Sequence, residues 1–178
     1  MKSLCVYCGS KPSNHSQFRE LARKLGIYLA ENQIRLVYGG AKVGLMGEAA
    51  DACLNAGGQV LGIIPQSLVQ WEVAHDGLQD LRIVDSMHAR KALMEKESHA
   101  FLAIPGGLGT LDELFEILTW RQMQLHQKPI ALINESGFFD HLLAHLRNCS
   151  DYQLLNYEDL HQLETFSSLN EWIEGFHF

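Results

Sequence analysis

The amino-acid sequence predicts a three-layer α/β domain built on a doubly wound parallel sheet, and three observations lead there. Short aliphatic and β-branched runs alternate regularly with longer amphipathic segments along the 178 residues. Most of the runs are continuously apolar, as strands of a parallel sheet covered on both faces must be. No internal repeat, low-complexity tract or linker breaks the alternation, so residues 1–178 read as one domain.

The elements follow in order. LCVY at 4–7 is the first strand, closed by Cys8-Gly9-Ser10, and an amphipathic helix follows over 15–31. RLVY at 35–38 is the second strand, closed by Gly39-Gly40-Ala41, with a helix over 45–56. VLGII at 60–64 ends at Pro65-Gln66, and residues 66–79 read as a loop with one helical turn. LRIV at 81–84 leads through Asp85-Ser86-Met87-His88 into a helix over 88–99. AFLAI at 100–104 ends at Pro105-Gly106-Gly107 and gives way to a helix over 110–124, whose Leu114, Ile117 and Leu118 form a core stripe. IALI at 130–133 is the last predicted strand, and helices over 138–148 and 169–176 complete the chain.

Composition removes several classes of function. A formal net charge of −7 argues against a general nucleic-acid binder, because the phosphate backbone rewards clustered Lys and Arg. No apolar run reaches the ~18 residues of a membrane span, and the first residues read as a strand and not a secretory signal, so a cytoplasmic protein is expected. Cys5 and Cys8 form a CxxC, but Cys5 lies inside a strand and no second pair exists to complete a zinc site. The nine histidines show no HExxH spacing, so no metal is assigned.

Ligands of doubly wound sheets bind outside the carboxyl ends of the strands. Three of the five loops at that edge are rich in small residues, which lets backbone amides approach a ligand. The dinucleotide fingerprint GxGxxG is missing after the first strand, where the chain reads CGSKPS, and no GxxxxGK[ST] loop occurs. What remains is GGLGT at 106–110, between a buried strand and a helix whose first amides are unsatisfied donors. There Thr110 can cap the helix or donate to a phosphate. Thr110-Leu111-Asp112-Glu113 fits a capping box, so Glu113 reads equally as a cap and as a catalytic carboxylate. Arg90 and Lys91 in Ser86-Met87-His88-Ala89-Arg90-Lys91 stand near another helix N-terminus, where the dipole disfavours cations unless an anion is to be held.

These stretches resemble a known family. PGGLGTLDE is similar to the PGGxGTxxE motif, and MHARK to the MHxRK motif, of the Lonely Guy (LOG) family of cytokinin riboside 5′-monophosphate phosphoribohydrolases, often labelled lysine decarboxylases. CGS near the N-terminus, YGGAKVGLMGEAA at 38–50, EVAHDGLQDLRIVDSMHARK at 72–91 and ILTWRQMQLHQKP at 117–129 extend the resemblance over nearly the whole chain. It implies a Rossmann-like fold, a homodimer, no metal or organic cofactor, and release of free base and ribose 5-phosphate from a nucleoside 5′-monophosphate. The family's catalytic pair falls on Arg90 and Glu113. Its nucleotide contacts fall on Glu72, expected at the ribose or base, Lys91, the 107–113 loop with Gly107, Gly109 and Thr110, and Thr119. The strand-end loops add Ser10, Gly40, Met87 and Gly106 as candidate substrate contacts, and Glu116, three residues after Glu113 on one helix face, is a candidate ribose contact. Where the family reads YGGG this chain has Ala41, and it lacks a glycine after CGS. A decarboxylase would need pyridoxal phosphate on a Schiff-base lysine with an acidic partner for its ring, an arrangement that Lys42, Lys91, Lys96 and Lys128 do not suggest. The chain's own residues leave one alternative, a non-catalytic nucleotide or cofactor carrier, which would keep the glycine loops and lose the Arg/Glu pair.

Overall fold

The computed structural model describes residues 1–69 and 73–178. Among them, seven parallel strands form one sheet: β1 Ser3–Tyr7, β2 Arg35–Tyr38, β3 Val60–Pro65, β4 Asp80–Val84, β5 Ala100–Ala103, β6 Ile130–Ile133 and β7 Leu163–Phe166. The strand order is β4-β3-β2-β1-β5-β6-β7. The helices are α1 Ser16–Glu31, α2 Gly44–Asn55, α3 Met87–Lys96, α4 Leu108–Gln122, α5 Asp140–Asp151, α6 Tyr157–Leu160 and α7 Leu169–Gly175. A 3₁₀ turn at Gln66–Leu68 is the helical turn expected in the 66–79 loop.

Six strands match the sequence reading to within a residue at each end. The seventh, β7, has no counterpart there, and its chemistry explains why. It is an edge strand that buries Leu163 while Glu164 and Thr165 face solvent, so it carries no apolar run. Burial sorts the side chains by the period of two. Leu4, Val6, Leu36, Leu102 and Ala131 pack with α1, α2 and α7, whereas Cys5, Tyr7, Val37, Phe101 and Leu132 pack with α3, α4 and α5. The two cysteines of the CxxC therefore sit on opposite faces of the sheet, and all four thiols are free. No helix among the described residues is long and apolar enough to cross a membrane.

One feature of the topology positions the site. From β1 the chain runs outward through β2, β3 and β4; from β5 it runs the other way through β6 and β7. β1 and β5 are neighbours, so the winding reverses between them, and the carboxyl ends of these two strands are where such a sheet binds its ligand. Gly9 after β1 lies directly against the loop after β5, its amide donating to the Pro105 carbonyl at 3.2 Å.

Candidate active site

A cavity of about 650 Å³ opens at this switch point, lined by the loops after β1 and β5 and by the first turns of α2, α3 and α4. Glycine serves two different purposes in the GGLGT loop. At Gly106 a methyl would lie 2.0 Å from the Thr110 hydroxyl oxygen and 2.8 Å from the Gly9 amide, so that glycine is needed for close packing of the two loops. At Gly107 and Gly109 a methyl would meet no atom within 4 Å, so these two leave open space above the helix amides.

Helix α4 begins at Leu108, with Gly107 as its N-cap and no side-chain cap. The capping-box reading of Thr110 and Glu113 is thereby corrected. Thr110 lies inside the first turn, and Glu113 lies in the second, too far along to fold back onto the cap. The cap therefore falls at Gly107, three residues before the Thr110 that the capping rule selects. Thr110 is buried and lines the cavity, and its hydroxyl, close under Gly106, has no hydrogen-bond partner among the described residues.

Glu113 is 4% exposed and meets Arg90, 2% exposed, with Oε1 3.4 Å from Nη2. Both line the cavity. Arg90 comes from α3, whose N-cap Ser86 accepts the Ala89 amide at 3.1 Å. Its guanidinium reaches the Met87 sulfur at 3.9 Å. Gly39 makes this placement sterically feasible: a methyl there would lie 2.0 Å from Nη2, 3.1 Å from Cζ and 3.2 Å from Met46 Cε. The small residues of the Gly39-Gly40 loop suggest backbone amides open to a ligand; the structure shows Gly39 as the seat of the arginine. Thiols contribute no nucleophile here, since burial, and after it the Glu113 charge, drive Cys5 and Cys8 far above the usual thiol range.

The remaining predicted contacts divide. Ser10, Met87, Gly106, Gly107, Gly109 and Thr110 line the cavity with Arg90 and Glu113. Gly40, Lys91, Glu116 and Thr119 do not. Gly40 takes φ +79° and accepts the His75 amide at 2.9 Å, with Ile64 and Leu81 behind it. Lys91 Nζ lies 3.1 Å from both Asp112 and Glu116, tying α3 to α4. Two carboxylates thus occupy the ammonium expected to hold phosphate, and one of them is Glu116 itself. The Thr119 hydroxyl donates to the Phe115 carbonyl at 2.7 Å, over an apolar groove between α4 and α6. Glu72 lies outside the described residues. Among the described residues no three His, Cys, Asp or Glu side chains are grouped as metal ligands would be.

Comparison with known proteins identifies the chain's relatives. Residues 46–175 match the family model described as "Possible lysine decarboxylase". The chain is 45% identical over 150 residues to a cytokinin riboside 5′-monophosphate phosphoribohydrolase of Rhodococcoides fascians, covering 84% of this chain and 76% of that protein. It is 46% identical over 143 residues to a probable enzyme of the same name from Oryza sativa subsp. japonica, covering 80% of this chain and 58% of the rice protein. The molybdenum cofactor binding protein of the phototrophic bacterium Rippkaea orientalis shares the fold, with a TM-score of 0.73 at 25% identity over 98% of this chain and 94% of that one.

Proposed function

We propose that this chain, which belongs to the family of cytokinin riboside 5′-monophosphate phosphoribohydrolases, hydrolyses the N-glycosidic bond of a nucleoside 5′-monophosphate to free base and ribose 5-phosphate. One observation carries this reading: a buried carboxylate–guanidinium pair, Glu113 with Arg90, faces a cavity beside a bare helix N-terminus. The first amides of α4 and the Thr110 hydroxyl take the phosphate. Glu113 lies three to five residues farther along the helix, about 5–7 Å on its axis, which is the reach of a ribose from its 5′-phosphate to its anomeric carbon.

The chemistry follows from that spacing. As the bond to the base breaks, positive charge develops on the ribose, as in glycoside hydrolysis. The Glu113 carboxylate stabilises it and takes a proton from the attacking water, whose oxygen bonds to the anomeric carbon as the base leaves with the bonding electrons and acquires a proton. Arg90 orients the nucleotide and holds Glu113 in place. The decarboxylase description finds no support in Lys42, Lys91 or Lys128, which are engaged by Asp76, by Asp112 with Glu116, and by Glu95, and do not line the cavity.

Incubation with AMP and with N6-isopentenyl-AMP, followed by assay of ribose 5-phosphate, tests the reading. Release from at least one is expected; tight AMP binding without release from either favours the carrier. Thr110→Val should raise the KM for AMP about tenfold or more, the value of one hydrogen bond to a charged group, with kcat little changed. Stability should hold, because valine replaces a buried hydroxyl that has no partner in the free protein. An unchanged KM would remove Thr110 from the phosphate site.

The substrate, a cytoplasmic location and a homodimeric state belong to the same proposal. Helix α3 buries only Arg90 and Met94, and Ile83 and Met87, just before and at its start, remain exposed. A second chain covering that face would account for them. Light scattering at the mass of a single chain would overturn the dimer.

A further inference from the structure

The strand order sets the cavity out as a line. Along the carboxyl edge, Gly39 with Arg90 stands over β2, Gly9 over β1, Gly106 over β5, and Phe138 beyond β6. With phosphate on the α4 N-terminus and the sugar over Glu113, the nucleotide fills the Arg90 half. The other half is left over, and it has its own chemistry. Phe138 is 45% exposed and packs edge-on to Phe18 with ring centroids 5.4 Å apart. His15 stacks on the Phe18 ring at 5.1 Å. Leu108, 87% exposed, lines the same cavity. Lys11 lines it too and makes no ion pair among the described residues.

We propose that this end is a second subsite, which holds a planar ring joined to the nucleotide through its 5′-phosphate: the far half of a 5′–5′ diphosphate-linked dinucleotide. The inference rests on the phosphate and sugar placement given above. Aromatic faces with an exposed apolar neighbour suit a stacked heterocycle, which gains about tenfold in affinity from such a ring. Lys11 supplies a point charge for the second phosphate, which a monophosphate lacks. The protein would then bind esterified nucleotides as well as monophosphates, with the ring beyond the phosphate kept away from the Arg90–Glu113 pair.

Calorimetry on full-length Glu113→Gln protein, with its fold checked by circular dichroism, separates the terms using AMP, ADP and diadenosine 5′,5′-diphosphate. ADP should bind more tightly than AMP in a Lys11-dependent manner, and the dinucleotide more tightly again by about tenfold, the value of one stacked base. Phe138→Ala should abolish the dinucleotide's advantage over ADP, lowering its affinity about tenfold more than that of AMP. In the wild-type enzyme the dinucleotide should inhibit AMP hydrolysis competitively with an inhibition constant below the KM, which keeps the test open if Glu113→Gln folds poorly. Equal or weaker dinucleotide binding overturns the subsite. So does a Phe138→Ala loss as large for AMP as for the dinucleotide, which would put the base itself on the aromatic end. Failure of AMP to bind or turn over at all would instead overturn the function on which the subsite rests.

Discussion

Glu113→Gln should lower kcat for AMP hydrolysis by at least ~10³-fold while leaving KM within a few-fold of wild type. Glutamine keeps the volume and a hydrogen-bonding oxygen toward Arg90, so the buried packing survives and the change removes charge alone. General base catalysis accounts for about 10²–10⁴ of rate, and stabilisation of developing charge by a preorganised group adds a comparable factor. The site magnifies both effects, because Glu113 and Arg90 are 4% and 2% exposed and solvent does not screen them. Asp112→Asn is the neighbouring control. That carboxylate is solvent-facing, holds Lys91 at 3.1 Å and does not line the cavity, so its loss should cost less than tenfold. Steady-state kinetics on the two variants decides the matter, and equal losses would deny Glu113 a chemical role.

Glu113 was legible from the chain as a candidate; its meeting with Arg90 on the cavity wall was not. The capping rule reads Thr110 and Glu113 as one local device, because it scores residue type at a fixed spacing. It cannot see that Gly107 caps the helix with its backbone alone and starts it at Leu108. Moved into the second turn, Glu113 is free to meet a residue 23 positions earlier. Lys91 shows the opposite case. Its motif points to phosphate, yet Asp112 and Glu116 lie four apart on one face of α4 and take its ammonium between them. The strands were readable wherever both faces are covered. Local pattern failed at β7, where the sheet ends and one polar face is enough.

Gly39 carries the second large effect, and no sequence rule singles it out. Of the two glycines after β2, only Gly40 has positive φ, so the turn alone explains Gly40 and leaves Gly39 without a reason until Arg90 is located. Gly39→Ala should fold, losing about 1–3 kcal/mol to overpacking, and should lower kcat about 10²-fold. The new methyl, 2.0 Å from Nη2, must drive the guanidinium well over an ångström from its seat, and displacement on that scale costs about two orders of magnitude in rate. Gly40→Ala reverses the balance: strain at φ +79° should lower the melting temperature more than it lowers turnover. A double-mutant cycle isolates the cause. Lysine at position 90 has no forked head to collide with the methyl, so in an Arg90→Lys background Gly39→Ala should add almost nothing to the loss already made. If the two losses multiply, the methyl acts on something other than the arginine, and Gly39 is a packing residue only.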